Sequence, residues 1–173
     1  MKKILIIIGL LSSVAVFSQV AIGKDEVSSA SVSLDFGEEP RGLLLPWVDD
    51  VEAMNNPVNG TIIYDLSDHK VKVRYDNDVW EDLSIISGDA DDSIQNGKSD
   101  VATAKVSLGT PAQDSPDGIL VLEETDKAMV LPKVIKPHLN IENPSPGMMV
   151  YDPEENLFCI YNGTVWTFWK ANN

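Results

Sequence analysis

The sequence predicts an all-β protein made of two small β-rich repeats in tandem, each ending in a three-stranded antiparallel meander. The mature part of the chain aligns with itself, and its short apolar or alternating segments are separated by Gly, Pro, Asn and Asp residues that favour turns. At an offset of 86 residues Val20-Ala-Ile-Gly23 matches Val106-Ser-Leu-Gly109, and at 87 residues Tyr64 matches Tyr151. An offset held over about sixty positions indicates internal duplication.

The first 18 residues have the pattern of a secretory signal peptide. Lys2 and Lys3 precede an apolar run that extends from Ile4 to Phe17, and Ser18 supplies a small residue at the expected cleavage position. The run is too short to span a bilayer, and we predict no transmembrane segment elsewhere. We therefore expect an exported protein that is extracellular or associated with the cell surface or outer membrane, with the periplasm as the alternative location.

The mature chain divides into a first repeat (19–83), an acidic linker or loop (84–105) and a second repeat (106–173). Each repeat opens with a polar, turn-rich connector that leads into a short strand. A repeat of this size is marginal for an independent core. We therefore expect the repeats to be intertwined in an oligomer, where neighbouring chains supply the missing burial.

The middle of each repeat is a short apolar run closed by proline, Gly42–Pro46 in the first and Ala128–Pro132 in the second. Such a run predicts a strand buried on both faces. The segments that follow differ. Val48–Met54 has apolar residues at helical spacing and predicts one or two turns of helix, whereas Val134–Ile141 contains an internal proline and is expected to be extended.

The last part of each repeat predicts the meander. Asn162-Gly163, between alternating apolar runs, is a strong hairpin signal. The predicted strands are 61–64, 70–75 and 79–83 in the first repeat and 148–151, 157–161 and 164–169 in the second. The side chains expected on the main packing face are Tyr64, Tyr75 and Trp80 in the first meander, which the alignment pairs with Tyr151, Tyr161 and Trp166 in the second.

The net charge is −14, and loss of Lys2 and Lys3 with the signal peptide would make it two units more negative. Nucleic acids are therefore not expected as partners, since they require a basic surface. Cys159 is the only cysteine, so no internal disulfide can form. It lies within an apolar strand-like run, which favours a buried, unreactive thiol.

The sequence contains no pattern that indicates an enzyme, and we predict no catalytic residue, metal site or cofactor. His69 and His138 have no nucleophile or second histidine at a useful spacing. The acidic segment 89–100 has calcium-loop spacing only in part, because Ile94 stands where a sharp turn needs glycine, and a solvated loop is the preferred interpretation. Ser93, between Asp92 and Ile94, resembles an O-glycosylation acceptor of exported Bacteroidota proteins.

The first repeat carries a set of motifs in a fixed order. They are Val-Ala-Ile-Gly (20–23), Ser-Ala-x-x-x-Leu-Asp (29–35), Arg-Gly-Leu-Leu-Leu-Pro (41–46), Pro-x-x-Gly-x-Ile-Ile-Tyr (57–64) and Tyr-x-x-x-x-Trp (75–80). This order resembles the repeat of exported Bacteroidota and tail-fibre-like proteins. The usual form of that repeat is Ile-Gly-Thr-x-x-Pro, Leu-Asp-Val, Lys-Gly-Phe-Leu-x-Pro-Arg-Met, Gly-Leu-x-Ile-Tyr and Tyr-Asn-Gly-x-x-Trp. The second repeat shows Leu108-Gly-Thr-Pro111 and Tyr161-Asn-Gly-Thr-x-Trp166.

The resemblance covers nearly all of the mature chain but fails directly after the prolines. Trp47-Val48 and Lys133-Val134 replace the usual Arg-Met, so contacts that the family makes through that arginine have no counterpart here. The resemblance implies a β-rich, surface-located, trimeric module of a fibre or adhesin complex, and it implies no reaction. The resemblance also implies a possible context, gliding motility in flavobacteria, where small proteins of this kind can accompany large surface adhesins.

We therefore predict a non-enzymatic structural or assembly module whose partners are further copies of itself, preferably as a homotrimer, or a larger surface adhesin. The alternative is a surface module that binds carbohydrate or protein through exposed aromatic residues in the Trp47 and Trp166–Trp169 regions. The residues expected to pack or to form the interface are Leu43, Leu44, Leu45, Tyr64, Tyr75, Trp80, Met129, Val130, Leu131, Tyr151, Tyr161, Trp166 and Trp169.

Overall fold

The computed structural model describes residues 19–76, 79–93, 95, 97–99, 101, 103–109 and 118–171. The predicted signal peptide lies outside these residues. The described part of the chain is all-β, as predicted, with one short 3₁₀ turn (Val51–Ala53) and one short helix, α1 (Pro137–Asn140). The strands are β1 (Val20–Ile22), β2 (Val32–Phe36), β3 (Leu43–Leu44), β4 (Trp47–Val48), β5 (Ile62–Asp65), β6 (Lys70–Arg74), β7 (Trp80–Asp82), β8 (Val106–Leu108), β9 (Leu120–Leu122), β10 (Ala128–Val130), β11 (Met148–Asp152), β12 (Leu157–Tyr161) and β13 (Trp166–Trp169).

Both predicted meanders are present. Strands β5, β6 and β7 pair antiparallel in sequence order, and β11, β12 and β13 do the same. Their registers correspond, because Tyr64 faces Val71 in the first meander and Tyr151 faces Phe158 in the second. The tight turn after the first strand also corresponds: His69 and Asn156 both have a φ of 58°. We call residues 19–83 the first half and residues 106–173 the second half.

The predicted polar connectors contain strands that the sequence pattern did not indicate. β1 pairs parallel with β2, with Val20 opposite Leu34, and β8 pairs parallel with β9, with Val106 opposite Leu120. Each first strand has only three residues, too few to show an alternating pattern among the polar residues that follow. The shared register shows that the two halves also correspond here in structure.

The short apolar strands β3 and β10 are exchanged between the halves. β3 of the first half pairs antiparallel with β11 of the second, and β10 of the second half pairs parallel with β2 of the first. The prediction that these strands are buried on both faces is wrong for this chain. Leu45 is 7% exposed but Leu44 is 50% exposed, because β3 is the last strand of its sheet.

The segments after the two prolines differ, but in part not as predicted. Val51–Ala53 forms a short 3₁₀ turn where helix was expected, with the Asp50 carboxylate accepting from the Glu52 N–H. The expectation of an extended second segment is wrong, since α1 begins at Pro137. Proline at the first helical position has a suitable φ and lacks only a donor that the helix leaves unpaired.

The main core lies between the two halves. Its buried members are Leu45, Tyr64, Val71, Met149 and Ile160. Two of these come from the second meander, so each meander covers the apolar face of the other. A smaller cluster of Val134, Val150 and Cys159 lies within the second half. No helix in the described ranges is long and apolar enough to cross a bilayer.

Candidate assembly surface

The residues expected to pack or to form an interface fall into three groups by exposure. Leu45 and Tyr64 are buried in the core between the halves. Leu44, Tyr75 and Trp169 are exposed. The remaining side chains are half-buried, namely Leu43, Trp80, Met129, Val130, Leu131, Tyr151, Tyr161 and Trp166. Part of the expected packing is thus satisfied by the other half of the same chain, and contact with a second chain stays a prediction.

The predicted packing face of the meanders is wrong in part. By alternation Tyr64 and Tyr151 lie on one face of their meanders, whereas Trp80, Tyr161 and Trp166 lie on the other. Tyr75 does not pack on the first meander. It follows the end of β6 and is 62% exposed. The strand register gives the reason, because Arg74 faces Trp80 just as Tyr161 faces Trp166. The extra residue of the first half therefore lies in the turn after β6, and Arg74 replaces the tyrosine. The Arg74 guanidinium lies 5.6 Å from the Trp80 ring centre, and the Tyr161 and Trp166 rings are 5.3 Å apart.

The turn at Asn162 joins the two halves. The buried Tyr64 hydroxyl donates to the main-chain oxygen of Asn162 at 2.9 Å. The Asn162 side chain accepts from the N–H groups of Thr164 and Val165 and donates to the Ile86 carbonyl at 2.8 Å. Asn162 itself is completely buried. The turn that the Asn-Gly pair predicted is therefore also the point at which the second meander is attached to the first.

The start of the predicted linker packs on this turn. Ser84 is buried, and its hydroxyl accepts from the Val71 N–H at 3.0 Å. A Cβ at Gly88 would lie 1.7 Å from the Asn162 oxygen, so the backbone approaches as closely as only glycine allows. The Trp169 indole donates to the Leu83 carbonyl at 2.9 Å. Residues 83–90, which we call the strap, thus connect the first meander with the end of the second.

Three buried aspartates hold turns and connections in place. Burial alone would raise the pKa of Asp35, but hydrogen bonds from Ser28 and Lys24 outweigh this effect and lower it to about 2. Asp65 and Asp152 hold the corresponding turns of the two meanders, accepting from the N–H groups two residues on. Their pKa values are also lowered, against the effect of burial, by hydrogen bonds. These carboxylates are structural.

Cys159 is fully buried, as the sequence indicates, and burial raises its pKa to about 11. The corresponding residue of the first meander is Lys72, because Lys72 faces Ile63 as Cys159 faces Val150. The Lys72 ammonium lies 2.9 Å from the Asp65 carboxylate. The thiol therefore occupies a structural position, and its environment suppresses the thiolate that chemistry would require.

Exposed apolar side chains occur in several parts of the chain, and two such regions are the small sheet β8–β9 and the last strand. On the small sheet, Val106 is 53%, Ile119 63% and Leu120 40% exposed. On the last strand, Phe168 and Trp169 are 40% and 44% exposed. The first-half counterpart of Leu120 is Leu34, which is only 2% exposed, since β10 covers the outer edge of β2. The small sheet β8–β9 therefore lacks the third strand that β10 adds to β1–β2.

The described residues contain no group of three or more His, Cys, Asp or Glu side chains able to hold a metal ion. Several residues of the acidic segment 89–100 lie outside the described part. Ser93 is exposed, and its N–H donates to the Asp91 carboxylate at 3.0 Å. Its predicted O-glycosylation stays a prediction. His69 lies in the turn after β5, and the ring of His138 makes an edge contact with Phe168 at 5.6 Å.

Comparison with known proteins gives a match to a family model. No curated protein and no solved structure matches the chain. The family model described as the phage tail like trimerisation region matches residues 105–173. These residues include two of the exposed apolar regions, the sheet β8–β9 and the last strand. The second half of the chain is thus similar to a structural region through which phage tail-like proteins assemble as trimers.

Proposed function

We propose that this protein is a non-enzymatic, exported structural module that assembles as a homotrimer within a cell-surface fibre or adhesin complex. In this proposal the chain consists of two copies of the Bacteroidota tail-fibre-like repeat. The signal peptide directs export, and the larger adhesin is the partner outside the trimer. Assembly, not catalysis, is the activity of the chain.

The observation that carries the proposal is the coincidence of two independent features in residues 105–173. The match to a trimerisation region covers these residues. The same residues expose Val106, Ile119 and Leu120 on a two-stranded parallel sheet. Two short strands rarely form a stable sheet alone, and exposed apolar side chains favour association. A neighbouring chain that covers this sheet would complete it.

Light scattering on the mature protein, residues 19–173, tests the assembly. We expect three times the chain mass over a wide concentration range. A monomer that unfolds cooperatively would contradict the proposal. N-terminal sequencing of the protein recovered from the native host tests export separately. We expect it to begin near Gln19, and an uncleaved Met1 would contradict export through a signal peptide.

A second candidate function is binding of glycan or protein through the last strand, supported by the neighbouring exposed rings of Phe168 and Trp169. Aromatic faces of this kind stack on sugar rings. The two rings lie on opposite faces of the strand, so a platform uses one of them, and Phe168→Ala should lose glycan-array signal if that ring is Phe168. Because Trp169 also bonds the strap, Phe168→Ala is the cleaner variant. Full retention of binding by both Phe168→Ala and Trp169→Ala would contradict this function.

A further inference from the structure

The exchanged strands β3 and β10 occupy corresponding places in the two halves, yet each is paired along a different edge. The Leu45 N–H donates to the Gly147 carbonyl, so the edge of β3 that carries Leu43 and Leu45 faces β11. Backbone groups alternate along a strand, which turns those of Leu44 to the other edge. In β10, by contrast, the Ala128 N–H donates to the Ser31 carbonyl, so the edge that carries Ala128 faces β2.

β3 and β10 each have two edges that can pair, and each strand uses only one of them within the chain. Leu44 corresponds to Val130, so the unpaired edge of β3 corresponds to the edge by which β10 pairs with β2. Leu44 has no strand partner on that edge among the described residues, and its side chain is half exposed. β3 is thus free to pair in parallel with a strand of the β2 type.

The small sheet offers a strand of that type. β9 corresponds to β2, since both pair in parallel with the preceding strand in the same register. The Val106 N–H donates to the Ile119 carbonyl, and the Glu123 N–H donates to the Leu108 carbonyl. By alternation, Leu120 and Leu122 direct their backbone groups away from β8. Within the described residues no strand pairs with this outer edge.

We infer that β9 of one chain accepts β3 of a second copy of this chain as a parallel strand. The pairing of β10 with β2, in which Met129 faces Leu34 and Val130 faces Asp35, supplies the register. By correspondence, Leu43 of the second copy faces Leu120, and Leu44 faces Val121. This pairing would cover the exposed side chain of Leu44 on one chain and that of Leu120 on the other.

The same arrangement of two chains also brings together the edge of β10 and the edge at the start of β5 that are free within the described residues. A groove lined by Met129, Val130, Leu131, Lys133 and Tyr151 runs along β10. β3 pairs with Met148 and Met149 of β11, whose first-half counterparts are Thr61 and Ile62. β10 of one chain would therefore pair with the start of β5 in the same second copy. The contact between the two halves is thereby repeated between the second half of one chain and the first half of the next.

This interface joins different surfaces of the two chains, so it is heterologous, and a trimer built on it is a closed ring. The inference deepens the proposed homo-oligomer and rests on it. It names the edges and the register, which the proposed function leaves open. The paired segments contain no charged residue, so no like charges meet along the paired edges.

Cysteine cross-linking tests the register. Cys159 is buried with a raised pKa, so the native thiol gives little background. We would refold a tagged Leu44→Cys chain together with an untagged Val121→Cys chain and oxidise the mixture. Paired strands lie about 4.8 Å apart, within disulfide reach. The matched control is Leu44→Cys with Val106→Cys, because β8 lies one strand further, about 10 Å away.

We expect a covalent tagged–untagged dimer as the main cross-linked product with Val121→Cys, limited to about half of the chains by random mixing in a head-to-tail ring, and little with Val106→Cys. Equal yields, or no dimer in a sample that light scattering shows to be trimeric, would overturn the inference and leave the proposed trimer standing. A monomeric wild-type protein would overturn the proposed function itself. Leu44→Pro gives a second test that needs no oxidation. Proline removes the Leu44 N–H on the unpaired edge and leaves the Leu45 hydrogen bond to the Gly147 carbonyl in place, so we expect a folded monomer, and an intact trimer would contradict the pairing.

Discussion

The hydroxyl of Tyr64 offers a direct measure of how strongly the two halves are joined. It donates to the main-chain oxygen of Asn162 at 2.9 Å in a fully buried site, across 98 positions of sequence. Tyr64→Phe removes this bond without changing the ring. A lost neutral hydrogen bond costs about 1 kcal/mol, and a buried acceptor left without its partner raises the cost to about 1–3 kcal/mol. We expect a destabilisation of about 2 kcal/mol.

Urea unfolding followed by tryptophan fluorescence, at one fixed protein concentration, measures this effect as a shift in midpoint at unchanged slope. The chain contains its own control in Tyr151, which corresponds to Tyr64. The Tyr151 hydroxyl is hydrogen-bonded instead to the exposed Asn156 side chain, at 3.1 Å. Tyr151→Phe should change stability by less than about 0.5 kcal/mol. Equal effects of the two substitutions would refute the conclusion that the Asn162 turn attaches one half to the other.

Three further predictions concern the strap, a buried carboxylate and the thiol. Gly88→Ala should lower the free energy of unfolding in urea by about 2 kcal/mol or more, because the added Cβ would collide with the Asn162 carbonyl. The control Gly97→Ala, whose Cβ meets nothing within 4 Å, should lower it by only about 1 kcal/mol because of its positive φ. Equal effects of the two substitutions would contradict the close contact at Gly88. Asp35 has its pKa lowered from 3.8 to about 2, so its contribution of about 2 kcal/mol is present above the unfolded pKa and is lost as pH falls towards the folded one. Asp35→Asn should therefore unfold with less dependence on pH over that range than the exposed control Asp25→Asn, and identical pH profiles would contradict this. Cys159 should react with a thiol reagent at pH 8 only after urea is added, since burial raises its pKa to about 11, and fast labelling of the folded protein would contradict the buried position.

The all-β class and the meanders could be predicted because their signals are local. Asp65 and Asp152 form their turns with residues two positions on, and the Asn162-Gly163 turn follows from the residues that form it. The parallel pairs β1–β2 and β8–β9 could not be predicted in this way. Their strands have three to five residues, and a parallel register depends on tertiary contacts that leave little local trace.

The exchange of β3 and β10 between the halves was equally hidden from the sequence. The predicted duplication aligns Leu43–Leu44 with Met129–Val130, but it does not indicate which edge of each strand is used. The misplaced Tyr75 has a similar cause. The one-residue change in the alignment offset can lie before or after a strand. Only the pairing of Arg74 with Trp80 shows that the extra residue lies in the turn after β6. The helix at Pro137 was missed since proline permits a helix start as readily as an extended strand.

The exchange of the two short strands has a consequence for folding and proteolysis. Neither half can complete its sheets until the whole polypeptide has been synthesised, so the two should unfold as one cooperative unit. A nick in segment 91–105 would leave two fragments still held by β3 on β11 and β10 on β2. Fragments produced separately should accordingly complement each other, and the covalent connection serves mainly to keep their local concentration high.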